Sequence, residues 1–100
     1  MGLSIQMTNP SLPTRVSISD HVLFQEIEGE CVLLNMASEQ YFGLDDVGTR
    51  VWQLLVEDGD PAKALSQLQQ VYDVDKATLR IDLAKLLAQL SSEGLVSLET

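Results

Sequence analysis

Between Val32 and Leu55 the sequence VLLNMASEQYFGLDDVGTRVWQLL changes its hydrophobic period with no linker in between. Two apolar, β-rich runs end at Leu44, and from Asp45 onward apolar residues recur at helical spacing. A small sheet must therefore feed directly into a helix. The rest of the chain is helical by the same reading, so the sheet stays small and at least one edge lacks a partner strand. An open edge beside helices can receive an extended segment of another chain.

Three strands are expected in the first half. His21–Ile27 and Cys31–Asn35 flank Glu28-Gly29-Glu30, a connection that closes a β-hairpin. Cys31-Val32-Leu33-Leu34 is apolar on both faces, as a covered central strand would be. After the turn-like Ala37-Ser38-Glu39, Gln40-Tyr41-Phe42-Gly43-Leu44 forms a third strand, with Phe42 and Leu44 on one face and Tyr41 on the other. Gly43 leaves room there for the close approach of another backbone.

Helix signals follow in order. Asp45 and Asp46 place negative charge at the positive end of a first helix, with Val47, Val51, Leu54 and Leu55 as its inner stripe and Trp52 on the border. Gly59 ends it. Asp60 caps a second helix with Pro61 in its first turn and Leu65, Leu68 and Tyr72 facing inward. Asp75 caps a long third helix that stops near Gly94. Leu95-Val96-Ser97-Leu98 then covers the sheet or adds a strand. Residues 1–15, with Asn9-Pro10 and Leu12-Pro13, show no sustained period and read as an arm, leaving 16–100 as one domain.

Composition excludes more than it selects. Six Lys and Arg against fifteen Asp and Glu give a net charge of −9, which repels nucleic-acid backbones. No apolar run approaches the ~20 residues of a membrane span, and no secretion signal precedes the domain, so a cytoplasmic location is expected. With 45% hydrophobic residues the domain should fold without metal or disulfide; Cys31 is the single cysteine. No cofactor motif occurs. His21 lacks a nominated Ser or Cys partner, and Cys31 sits in an apolar run where thiols are usually inert, so the chain does not read as an enzyme.

The third helix has two apolar sides. Leu79, Leu83, Leu86 and Leu90 form the natural core stripe, while Ala77, Ile81, Ala84 and Ala88 make a second side of mostly small residues, with Arg80 and Leu87 between them. That small-residue side would let another chain approach and form a groove with the third strand; alternatively, alanine is there as the best helix former. Lys76 and Arg80, four residues apart, would meet an acidic partner segment or pair with Asp73 and Asp75.

LLNMASEQYFGLDDVGTRVWQLL, a helix start after DGDP, and DVDKATLRIDLAKLLAQLSSEGLV together resemble the PqqD-like family of peptide chaperones. These serve as recognition elements for ribosomally made, post-translationally modified peptides. The resemblance covers about His21 to Leu98 and is strongest to stand-alone members from lasso-peptide clusters. It implies an α+β, winged helix-turn-helix-like fold, a three-stranded antiparallel sheet followed by three helices. It also implies a non-catalytic adaptor that binds a precursor leader by strand addition and presents it to a separate peptidase or cyclase. The implied contacts are Gln40, Tyr41, Phe42, Gly43 and Leu44 on the strand, with Arg80, Ile81, Ala84 and Leu87 on the helix; Lys76 joins them as a candidate contact from its spacing to Arg80 alone. Self-association through the same edge is a further expectation. Two other classes compete: a winged-helix DNA-binding regulator, which the acidic charge disfavours, and an acidic carrier protein, which Asp45-Asp46-Val47 does not fit because an attachment serine is missing.

Overall fold

The computed structural model describes residues 12–99. Eight elements follow one another: β1 (Arg15–Ile18), β2 (Val22–Ile27), β3 (Glu30–Asn35), β4 (Gln40–Leu44), α1 (Asp46–Glu57), α2 (Pro61–Val71), α3 (Lys76–Ser92) and β5 (Val96–Glu99). β2, β3 and β4 form an antiparallel sheet in that order, and β1 and β5 form a separate two-stranded antiparallel ladder. The expected three-stranded sheet followed by three helices is therefore present, with an additional ladder tying the two ends of the domain together. The strand segment expected at Leu95–Leu98 pairs with β1 and not with the sheet: Val16 faces Leu98 and Ile18 faces Val96. Thr14 extends the same ladder, its backbone N–H donating to the carbonyl of Glu99 at 2.7 Å. Arg15, read as part of an arm, lies in a strand; residues 1–11 of that arm fall outside the described residues.

Turn chemistry fixes the sheet. Ile27 pairs with Glu30 across Glu28 and Gly29, both of which have positive φ (53° and 82°), the type I′ geometry that matches the twist of a two-residue hairpin. The β3–β4 turn is held by Asn35, whose Oδ1 accepts from the backbone N–H groups of Ala37 and Ser38. The Nδ2 of the same buried side chain donates to the carbonyl of Glu93 at 2.9 Å, so the end of α3 is fastened to the hairpin.

Each helix begins at the expected aspartate. The carboxylates of Asp45, Asp60 and Asp75 accept from the backbone N–H groups of Gly48, Ala62 and Thr78, meeting orphan donors of α1, α2 and α3. Gly59, expected as a helix stop, answers to a close approach: a Cβ there would sit 2.2 Å from the carbonyl oxygen of Val16, while Val16 N–H donates to the carbonyl of Gly59. α1 is thereby stitched to β1.

One core serves all layers. Cys31 and Leu33 from β3, Val51, Trp52, Leu54 and Leu55 from α1, Ala64, Leu65 and Leu68 from α2, and Leu79, Leu83, Leu87 and Leu90 from α3 are buried together. Trp52 was expected at the border of the α1 stripe. It is instead 1% exposed and packs edge-on against Phe24 at 5.7 Å between ring centroids, because α1 is covered on one side by the sheet and on the other by α2 and β1. Its indole N–H finds no acceptor.

Candidate functional site

β4 is an edge strand among the described residues, and the direction of its hydrogen bonds follows from the register. Met36 N–H donates to His21 O on the β2 side, so even-numbered residues of β3 point their backbone groups at β2 and odd-numbered ones at β4. Cys31, Leu33 and Asn35 thus bond toward Leu44, Phe42 and Gln40, their partners in register. At the end of this ladder the Thr49 hydroxyl is inserted between strands, accepting from Cys31 N–H at 2.8 Å and donating to Leu44 O at 3.3 Å. By alternation, the N–H and C=O groups of Tyr41 and Gly43 point to the open side of β4. That edge offers two donors and two acceptors in an extended row.

Beside this edge lies a groove of about 700 Å³ between β4, the start of α1 and the second half of α3. Phe42, Leu44, Val47, Leu86, Leu90 and Leu95 supply its apolar surface. Asp45, Asp82, Gln89 and Glu93 supply the polar part of its lining. An extended chain laid along β4 would have alternate side chains directed into this hollow and the others outward beside Tyr41. Tyr41, 71% exposed, belongs also to a second apolar concavity on the outer face of the sheet, lined with Leu23, Ile27, Val32 and Leu34.

The structure brings Tyr41, Phe42, Gly43 and Leu44 to the groove, and Gln40 to the beginning of the same edge. It does not bring the expected helix residues there. Leu87 is 1% exposed and belongs to the core stripe with Leu79, Leu83 and Leu90; Leu86, expected in that stripe, is the residue that lines the groove. At 100° per residue, Asp82, Leu86, Gln89 and Glu93 share one arc; Arg80 and Ala84 fall about 150° and 170° from its centre, across the buried stripe, and Ile81 about 110° from it on the side away from that stripe. Lys76 is exposed in the first turn, well before the groove. Arg80, Ile81, Ala84 and Leu87, expected as the other wall of the groove, therefore do not line it, and Lys76 stands apart from it. The reason is that α3 packs against β5 and α2 as well as walling the groove, and those contacts set its rotation.

Residues that the sequence reading passed over include Asn35 and Thr49, both buried and both hydrogen-bonded to the strands beside the groove. An asparagine at the end of an apolar run, two residues before a turn, is a detectable signal. The two groups considered for chemistry are held in the fold as follows. Burial, reinforced by the Glu26 carboxylate, pushes the Cys31 thiol up, away from the thiolate form a nucleophile needs. His21 Nε2 lies 3.1 Å from Gly94 O, a contact that ties β2 to the end of α3. No helix among the described residues is long and apolar enough to cross a membrane.

Comparison with known proteins meets the same geometry. Residues 30–96 match the family model for coenzyme PQQ synthesis protein D (PqqD). Among solved structures the chain is similar to TbiB1 in complex with the TbiA(beta) leader peptide, with 38% identity and a TM-score of 0.79 over 81% of this chain and 94% of that one. It is also similar in fold to a lasso peptide synthetase B1 complexed with the leader peptide, with 23% identity and a TM-score of 0.76 over 83% and 98% of the two chains. A search of curated protein sequences found no match.

Proposed function

The chain belongs to the PqqD family, and from that premise we propose that it is a non-catalytic adaptor for the leader segment of a ribosomally made precursor peptide. The leader adds to β4 as a fourth strand, bonded to the backbone of Tyr41 and Gly43, and sets alternate side chains on Phe42, Leu44, Val47 and Leu86. The observation that carries the reading is the free edge of β4 standing over an apolar hollow, in a chain similar to TbiB1, which was solved with a leader peptide.

Energetics divide the labour. Each backbone hydrogen bond contributes ~0.5 to 1.5 kcal/mol net and is indifferent to sequence. Selection comes from the side chains that enter the hollow, each worth about 1.5 to 3 kcal/mol when a large apolar group is fully buried. The bound leader keeps the rest of the precursor tethered near whatever enzyme docks with the adaptor. Processing by a separate peptidase or cyclase is then raised through effective concentration, not through groups on this chain.

The test is a calorimetric titration with the TbiA(beta) leader peptide and with leader segments of candidate precursors, followed by amide exchange. Binding is expected to slow exchange at Tyr41 and Gly43 specifically. Protection confined to the β2 edge, or to the β1–β5 ladder, would overturn the proposal.

A further inference from the structure

We propose that the groove selects peptides carrying basic residues on both sides of an apolar centre. This rests on the leader-binding reading and adds to it the charge pattern of the ligand.

Three carboxylates line the hollow, those of Asp45, Asp82 and Glu93, and no lysine or arginine does. None of the three forms an ion pair: among the described residues the salt bridge is Lys63–Asp58, and Asp45 also caps α1 by accepting from Gly48 N–H. Lys85, one turn from Asp82, makes no ion pair with it, and Lys76 and Arg80 stand elsewhere on α3. The charges also bracket the strand. Glu93 is held at the Gln40 end, since its carbonyl accepts from Asn35, the register partner of Gln40; Asp45 directly follows Leu44 at the other end. An extended segment on β4 therefore meets a carboxylate near each of its ends and apolar surface between them. Beside that apolar surface, water screens a cation–carboxylate attraction less than it does in bulk solvent.

Spacing follows from the helix. Asp82 and Glu93 are three turns apart on α3, ~16 Å along its axis. An extended chain covers that in about five residues at ~3.3 Å each. Two side chains that both face the groove must be an even number apart, so the preferred separation is four or six. The ligand is thus an extended peptide with Lys or Arg at such a spacing, apolar residues between them on the same face, and no acidic residue entering the hollow.

Panning the intact chain at low salt against a random peptide library tests this, with peptides of about 12 residues so that each spans the trough. Enriched sequences are expected to share paired basic residues at that spacing, and the double variant Asp82→Asn/Glu93→Gln is expected to bind them about fivefold more weakly, as two partly exposed ion pairs would. That variant alters only side chains at the surface, so an unchanged circular dichroism melt is the control for folding. Enrichment of peptides without basic residues, abolished by Leu86→Trp, would overturn the charge pattern and leave the leader-binding reading standing. A library from which nothing is enriched, or whose winners ignore Leu86→Trp, would overturn both.

Discussion

The two exposed flanks of α3 differ in almost every respect. On one, Asp82, Leu86, Gln89 and Glu93 stand across a hollow from an unfinished sheet edge. On the other, Arg80, Ile81 and Ala84 meet solvent or the margin of the core, and Ile81 is 39% exposed. The second flank has the small residues and the positive charge that make a helix look like a docking face. The first has the groove. What separates them is the neighbour and not the composition: among the described residues, the first flank lies beside the unpaired edge of β4 and the second does not.

The largest effect expected from this contrast is on stability. Leu87→Ala should cost about 2 to 5 kcal/mol in chemical denaturation, as core truncations do, whereas Ile81→Ala should stay within about 0.5 kcal/mol. A comparable loss at both positions would erase the distinction between core stripe and exposed flank. Next is ligand binding. Leu86→Trp should fill the hollow and weaken leader binding by about tenfold or more, the value of one lost apolar anchor. Ala84→Trp, on the opposite flank, should change it by less than about twofold, an effect within ~0.4 kcal/mol. A third comparison lies on the strand itself. Gly43→Pro removes one of the two outward N–H groups and should lower affinity about fivefold, the worth of roughly one hydrogen bond. Gly43→Ala is its control, because a Cβ there meets nothing within 4 Å. The smallest effect is at Arg80. Arg80→Glu should leave leader affinity unchanged across a salt series, and a salt-dependent loss would return the basic flank to consideration.

Local signals carried most of the fold. The aspartate caps, the Glu28-Gly29 turn and the step from two-residue to helical period each act within a few residues, so the sequence displays them directly. The pairing of β1 with β5 has no such signature: Val16 and Leu98 are remote in sequence, and four residues are too few for alternation to stand out. The strand half of the groove was legible for the same reason that the sheet was. Its helix half was not. α3 has leucine at 79, 83, 86, 87 and 90, and neighbours on a helix are turned by only 100°, so periodicity admits more than one choice of inner stripe. The packing of β5 and α2 resolves it, seating Leu87 in the core and turning Leu86 to the hollow. Trp52 illustrates the same limit, since its depth depends on which elements close over α1.

The β1–β5 ladder also determines how this domain can be joined to others. Thr14 and Glu99 are hydrogen-bonded neighbours, and neither ladder strand contributes to the groove lining. A chain entering at one and leaving at the other does so at a single spot on the surface. The domain is thereby suited to insertion into a surface loop of another protein, with both junctions side by side and the groove lining untouched.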